Sequence, residues 1–266
     1  MPDVGFSLKR CVWIEPGEKK TITGFDKIFI GSEVCGKFLS SADIIREIEA
    51  YRTSGYETGI ISPYLTPNRE IEFTAFLEKL TNVTEVIVND VGAYKRVRDS
   101  KHIPILGRLL MRQNTDPAIR SFYQDQPDRV VYDYTDRVNL RHMNPPAELT
   151  KHFTGSPVFS EETADFFRDG DDELQVMMDL LPHGFPGKIP GKIRVLLNTD
   201  NILVSVFPCR SCDDCPQNEI ILGKTRANIP IYRKKNLCYY KYAEINEADK
   251  ITRFPDYVSG TIVGLS

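Results

Sequence analysis

The segment "KIFIGSEVCGKFLSSADIIREIEAYRTSGYETGII" (residues 27–61) predicts a strand, a helix and a second strand in succession. Both ends of the segment are almost continuously apolar, which is typical of strands that are covered on both faces of a parallel sheet. Between them, Ser41 is a candidate N-cap, and Ile44 and Ile48 follow it at helical spacing. We therefore interpret the segment as one βαβ unit.

The same alternation continues to residue 108. The sequence predicts helices over 68–82 and 91–101 and strands over 84–90 and 103–108. The residues expected to face inward from the first of these helices are Ile71, Phe73, Phe76, Leu77 and Leu80. Successive crossovers of one helix each are typical of a parallel barrel or a doubly wound sheet, both of which are α/β folds.

Beyond this point the pattern is less regular. Residues 109–156 are polar, aromatic and interrupted by prolines, so we interpret them as an insertion. The segment 172–182 predicts a strand, and 192–209 predicts an antiparallel hairpin that turns at "NTDN". The Tyr-rich stretch 228–246 predicts further extended structure. Because the chain has neither an internal repeat nor a low-complexity linker, residues 1–266 are predicted to form a single domain.

Composition and charge favour a globular protein of the cytoplasm. Apolar residues make up 41% and charged residues 27% of the 266 residues, and the net charge is −3. A protein that coats nucleic acid is therefore disfavoured, and base stacking is the weaker interpretation of the Tyr-rich stretch. The sequence has no apolar run long enough to span a membrane, and its first residues lack the core of a signal peptide. We expect a cytoplasmic protein without membrane contact.

The chemistry of the chain depends on its six cysteines. The stretch "FPCRSCDDCPQ" (207–217) places Cys209, Cys212 and Cys215 in a C-x2-C-x2-C run, and Cys238 follows later. In a reducing compartment, clustered thiols bind metal more often than they form disulfides. The spacing favours a [4Fe–4S] cluster with Cys238 as the remote ligand. Structural zinc and a redox-active or unliganded group of thiols are the alternatives.

Three stretches together resemble one known family: "IFIGSEVCGK" (28–37), "EVIVNDVGAYKRV" (85–97) and "IPILGRLLMRQNTDP" (103–117). They look like the collagenase-like peptidase family of unknown catalytic type. That family includes non-proteolytic members that hydroxylate ubiquinone precursors without oxygen, and relatives that hydroxylate transfer-RNA uridine. The resemblance implies a TIM-like parallel βα barrel, a four-cysteine iron–sulfur cluster and, for the paired members, a paralogous partner subunit.

The resemblance also offers a second ligand set. In some relatives a cluster ligand follows a G-x-x-x-C stretch near the start of the chain, and "GSEVC" places Cys35 there. Cys35 therefore stands as an alternative to one of the late cysteines. Cys11, by contrast, is expected to be a small buried hydrophobe.

Strand ends provide the other candidate site residues, because active groups of parallel βα folds lie where strands end. Glu33, Asp90 and Arg108 follow predicted strands, and they are the candidate catalytic residues. Arg108 is a candidate donor for an anionic substrate, with a structural ion pair as the alternative. Asp90 has the alternative role of a helix N-cap. His102 lies in a polar stretch and is expected to be solvated.

These features predict an iron–sulfur TIM-like barrel protein, either an enzyme or an enzyme subunit. Its reaction would be an oxygen-independent, hydroxylation-type modification of a small anionic substrate in anaerobic metabolism. A non-catalytic partner subunit that binds the cluster or zinc is the alternative. A peptidase is a further alternative, although the sequence has neither a clear nucleophile–base pair nor an H-E-x-x-H motif. With about seven or eight strands predicted against the usual eight, a barrel completed by a partner is also an alternative.

Overall fold

The computed structural model describes residues 8–18, 21–82, 84–111, 173–179, 193–206, 218–224, 228–245 and 258–264. Most of the predicted insertion over 109–156 lies outside these residues, so it stays a prediction. Cys209, Cys212 and Cys215 also lie outside them.

A closed barrel of eight parallel strands forms the main body of the described chain. Its strands are β1 (Lys9–Ile14), β2 (Lys27–Gly31), β3 (Glu57–Ile61), β4 (Glu85–Val88), β5 (Ile103–Leu106), β6 (Leu174–Asp179), β7 (Ile193–Asn198) and β12 (Val258–Gly264). Around the barrel, the order is β1, β12, β7, β6, β5, β4, β3 and β2. The predicted TIM-like α/β barrel is confirmed. Because β12 pairs with both β1 and β7, the alternative of a barrel left open for a partner is wrong.

The described helices lie between strands on the outside of the barrel or at its ends. They are α1 (Ala42–Thr53), α2 (Pro67–Lys79), α3 (Val91–Arg98), α4 (Arg108–Met111) and α5 (Tyr242–Ile245), with a 3-10 helix over Gly36–Ser40. Ser41 caps α1 as predicted, because its Oγ accepts a hydrogen bond from Asp43 N. None of the described helices combines the length and apolarity that a membrane span requires.

A second, antiparallel sheet is formed by β8 (Asn201–Val206), β9 (Ile220–Lys224), β10 (Pro230–Lys234) and β11 (Leu237–Lys241). Its strand order is β8, β11, β10, β9. The predicted β-rich C-terminal part is thus confirmed, but the predicted hairpin over 192–209 is wrong. In the closed barrel, β6 and β12 occupy both edges of β7, so β8 pairs with β11 instead.

Alternate strand residues contribute to two separate apolar cores, as the pleat requires. Residues such as Ile60 and Val86 pack outward against the helices, where Ile48 and Phe73 are fully buried. The inward residues form a second cluster that contains no helix residue: Cys11, Trp13, Phe29, Ile61, Ile87, Ile105, Met177, Leu196 and Ile262. Cys11 is 3% exposed, which confirms its expected role as a buried hydrophobe. The prediction that Ile71 faces inward is wrong, since it is 77% exposed.

Phe29 fills the barrel interior only because residue 59 is glycine. A Cβ atom on Gly59 would lie 2.4 Å from Cε1 of Phe29, well inside van der Waals contact. Phe29 itself is 1% exposed and packs among the inward residues, so it has little room to move. The apolar filling of the barrel therefore depends on this pairing of a large residue with a small one.

We expect Gly59→Ala to lower the free energy of unfolding by about 1–3 kcal/mol, the usual cost of overpacking a core. Urea denaturation monitored by circular dichroism measures the change. Gly223→Ala is the matched control, because a Cβ there would meet no atom within 4 Å. It should change stability by no more than about 0.5 kcal/mol. Equal losses in the two variants would show that the contact with Phe29 is unimportant.

Candidate functional site

Arg108 is the centre of a buried polar network at the carboxyl-terminal mouth of the barrel. Its Nε and Nη2 donate to the two carboxylate oxygens of Glu33 at 2.8 and 2.7 Å. Its Nη1 donates to Asp179 Oδ1 at 2.9 Å and to Asn201 Oδ1 at 2.7 Å. The side chains of Arg108, Glu33 and Asp179 are each at most 1% exposed. The guanidinium is thus engaged by two carboxylates and an amide away from water.

These groups meet because parallel strands of a barrel end at the same rim. Glu33 lies two residues beyond β2, Arg108 opens α4 just after β5, and Asp179 is the last residue of β6. The sequence predicts Glu33 and Arg108 at this end, and the structure brings the two together. Sequence reasoning misses Asp179, although an acid that ends the apolar run "LQVMM" is a usable signal.

Asp179 also ties the barrel to the second sheet. Its Oδ1 accepts a hydrogen bond from Asn198 Nδ2 at 2.7 Å, and its Oδ2 accepts one from Leu203 N in β8 at 2.9 Å. Asn198 Nδ2 further donates to the Asn201 carbonyl at 2.7 Å. The turn between β7 and β8 is therefore held to the carboxylate that pairs with Arg108.

The electrostatics of the network follow from burial and pairing. Removal from water raises the pKa of Glu33, and the opposing attraction of Arg108 does not cancel this effect. Burial alone would lower the pKa of Arg108, but Asp179 and Glu33 together outweigh it and raise that pKa. Arg108 also lies over the ring of Trp13, with its guanidinium carbon 5.8 Å from the ring centroid. The cation is therefore stabilised from several sides.

The second sheet covers this mouth. Tyr232, Leu237 and Tyr239 belong to the same apolar cluster as the inward residues of the barrel. Each of the three is 8% exposed, and the neighbouring Tyr240 is 1% exposed. The rings of these tyrosines are thus already packed within the protein, whereas the expectation about nucleic acid stays a prediction.

Asp90 has the role of a helix cap. Its Oδ1 accepts a hydrogen bond from Ala93 N at 2.8 Å, and its Oδ2 accepts one from Leu65 N at 2.8 Å. Burial raises its pKa, although these backbone hydrogen bonds and one from Gly92 oppose the shift. Asp90 fixes the start of α3 and the loop after β3, while its catalytic role stays a prediction.

A pocket of about 490 Å³ lies at the rim, beside the covered mouth. Cys35, which is partly exposed, shares its wall with Glu15, Ser32, Glu47 and Lys235. Burial raises the pKa of the Glu47 carboxyl, although a hydrogen bond from Gly17 N opposes this. We call this cavity the rim pocket.

A smaller cavity of about 70 Å³ lies nearer the barrel axis. Trp13, Arg108, Asp200 and Lys234 line it, together with parts of the covering sheet. We call it the inner cavity. Arg108 therefore faces the inner cavity and is absent from the lining of the rim pocket.

The two described candidate cluster ligands face different spaces. Cys35 lines the rim pocket. Leu237 and Tyr239 face the barrel, so the pleat of β11 places Cys238 on the opposite face of the covering sheet, where it is 2% exposed. Within the described ranges, no group of three or more His, Cys, Asp or Glu side chains is arranged to hold a metal ion.

His102 is buried, which contradicts the expectation that it is solvated. It is 5% exposed, Nδ1 accepts a hydrogen bond from Thr84 N at 3.2 Å, and Nε2 lies 3.1 Å from the Leu77 carbonyl oxygen. Desolvation lowers its pKa. Because His102 precedes β5 whereas Cys35 follows β2, they lie at opposite ends of the barrel and form no nucleophile–base pair.

Comparison with protein-family models, curated proteins and solved structures finds no match to this chain.

We expect Arg108→Met to lower the free energy of unfolding by about 3–5 kcal/mol, because it leaves two buried carboxylates without their cation. Arg96→Met, which breaks a pair whose side chains are 48% and 35% exposed, is the matched control. That control should cost about 1 kcal/mol or less. Chemical denaturation of the three proteins measures both values, and a small loss for Arg108→Met would contradict a structural role for the network.

Proposed function

We propose that the protein is an iron–sulfur barrel enzyme, or a subunit of one, that modifies a small molecule without oxygen. The substrate binds in the rim pocket. Cys209, Cys212, Cys215 and Cys238 hold a [4Fe–4S] cluster, with Cys35 as the alternative fourth ligand and zinc as the alternative metal. The cellular location that fits this chemistry is the cytoplasm.

The observation that carries this proposal is the rim pocket itself. It lies at the carboxyl-terminal end of a closed parallel barrel, the end at which barrel enzymes bind their substrates. Its volume is about 490 Å³, within the usual range for small-molecule sites. Its wall combines the thiol of Cys35 with carboxylates, two ammonium groups and uncharged polar side chains, and with apolar side chains such as Phe38.

The described ends of the cysteine-rich segment lie near this pocket. Val206, where β8 ends, pairs with Leu237, and Ile220, where β9 begins, pairs with Arg233. Both pairs flank the turn between β10 and β11, whose residue Lys235 lines the rim pocket. Cys209 is only three residues beyond Val206, a reach of about 10 Å for an extended chain. This proximity supports a cluster beside the substrate site.

The two ligand sets make different use of the fold. Cys238 can contribute one thiolate from the outer face of the covering sheet, and Cys35 can contribute one from the rim pocket. When bound, a [4Fe–4S] cluster supplies one-electron chemistry. The late cysteines remain the favoured set because of their spacing, whereas Cys35 would bring the cluster to the substrate.

The structure changes the proposed role of Arg108. Its donors are directed at Glu33, Asp179 and Asn201, so it supports the mouth of the barrel. The charged residues that line the rim pocket are the cations Lys37 and Lys235 and the acids Glu15, Asp43 and Glu47, of which Lys235 and Glu15 pair with each other. A small molecule with polar or charged ends fits this lining.

Anaerobic purification should yield a brown protein with about four irons and four sulfides per chain. Iron, sulfide and zinc analysis with a visible spectrum provides the measurement. Cys212→Ser should lose the cluster. Cys238→Ser and Cys35→Ser form a matched pair, and the one that also loses iron identifies the fourth ligand.

One zinc per chain without iron would overturn the redox function and leave a structural metal site. The absence of both metals would overturn the cluster and the zinc site together.

A partner subunit is the second candidate function, and one observation favours it. Among the described strands, β9 lies at an edge of the second sheet, and its residues Ile220, Ile221 and Leu222 are 43%, 60% and 48% exposed. Aliphatic edge strands readily pair with another chain. A protein that completes a hetero-oligomer would use such an edge.

Purified protein without its partner should therefore self-associate weakly as its concentration rises. Sedimentation velocity should show this association, and Ile221→Lys should abolish it, because a charge protects an edge strand from pairing. Ile71→Lys is the matched control, since Ile71 is an isoleucine on α2 that is 77% exposed. A wild-type protein that is monomeric at every concentration would argue against the role of β9.

A further inference from the structure

The rim pocket and the inner cavity share one part of their walls. Glu15 and Lys235 line both cavities. Lys235 Nζ donates to Glu15 Oε2 at 2.6 Å, and the two side chains are 16% and 18% exposed. This ion pair is therefore the partition between the substrate pocket and the covered mouth of the barrel.

The two halves of the partition come from the second sheet and from the barrel. Lys235 lies in the turn between β10 and β11 at a φ of 54°, and its carbonyl accepts a hydrogen bond from Arg233 Nε at 3.0 Å. Glu15 directly follows the barrel strand β1. Since burial alone would lower the pKa of Lys235 and Glu15 outweighs it, the ammonium depends on a negative partner.

The partner of Lys235 indicates an anion as the replacement for Glu15. Lys234, Lys235 and Asp200 all line the inner cavity, and Asp200 Oδ2 already accepts a hydrogen bond from Asn201 Nδ2 at 2.9 Å. Arg108, the other cation on this wall, is engaged by Glu33 and Asp179. If Glu15 leaves, the ammonium of Lys235 loses the carboxylate to which it donates, and a carboxylate of the substrate can take the same place.

The volume sets the size of the group. The inner cavity of about 70 Å³ holds several heavy atoms, since one water needs roughly 10–15 Å³ by the same measure. A carboxylate or a similarly small anionic group is of this size.

We infer that the two cavities form one binding site for a substrate with an anionic end group, which displaces Glu15 from Lys235 and enters the inner cavity. This rests on the proposed function, because it takes the rim pocket as the substrate site. Lys235 is then the residue that recognises the anionic end of the substrate. The Glu15 carboxylate occupies the position of that anionic end until the substrate binds.

The fluorescence of Trp13 can show whether a small molecule passes from the rim pocket into the inner cavity. It is the single tryptophan of the chain, it lines the inner cavity, and it is 7% exposed. Quenching of its fluorescence by iodide, caesium and acrylamide, at constant ionic strength, measures how well an anion, a cation and a neutral molecule reach the inner cavity.

Glu15→Gln should raise the iodide quenching constant about threefold, the factor that one unit charge at about 6 Å gives in water. Quenching by caesium should not rise. Lys235→Met, which opens the partition without leaving a cation, should increase acrylamide quenching and leave iodide quenching near the wild-type value. Asp43→Asn is the matched control, because Asp43 lines the rim pocket alone. Circular dichroism checks that each variant is folded.

Two results would overturn the inference. Iodide quenching in Glu15→Gln that equals the wild-type value would show that the pair does not control access. An equal rise in Asp43→Asn would show that only the net charge near the pocket matters. Iron and sulfide content depends on the cysteines and not on Glu15, so the proposed function and this inference fail separately.

Discussion

The buried ion network around Arg108 is the constraint on which the rest of the structure depends. Three charged side chains lie together with at most 1% exposure, an arrangement that is stable only when their hydrogen bonds are satisfied. Glu33 and Asp179 supply the carboxylates from two different strand ends, and Asn201 completes the set from the second sheet. The network therefore fixes the ends of the barrel strands and the position of the cover at the same time.

Because the second sheet covers the mouth of the barrel, the accessible cavity lies beside the barrel axis. Barrel enzymes commonly bind their substrates at this end, but here Leu237 and Tyr239 pack over the axis. The larger cavity consequently lies at the rim, between the segment that follows β1 and the turn after β10. The packed residues on the barrel axis therefore make this end rigid, whereas the rim pocket is the part that a small molecule can reach.

Almost continuous apolar runs made β2 to β5 predictable from the sequence, whereas β1 and β12 carry weaker signals. β1 begins with two exposed charged residues, and β12 contains Gly260, which weakens its strand propensity. Yet that glycine is required by the barrel, because a Cβ there would lie 2.8 Å from the Lys9 carbonyl oxygen.

The position of Asp179 within the network depends on which strands become neighbours, and local patterns do not contain that information. The hairpin over 192–209 was predicted wrongly for the same reason. Turn chemistry is a local property of the sequence, whereas barrel closure depends on strands that are distant in the chain.

The pleat of β11 and the position of Cys35 determine where each candidate ligand would place a cluster. Cys238 lies between two residues that face the barrel, so a cluster held there is on the outer face of the covering sheet. Cys35 instead lines the rim pocket, so a cluster that included it would lie at the proposed substrate site. The first arrangement suits a metal centre that stabilises the cover or passes electrons through it. The second would suit direct chemistry in the rim pocket. In the proposed iron–sulfur protein, the identity of one ligand therefore decides whether the cluster supports the site or belongs to it.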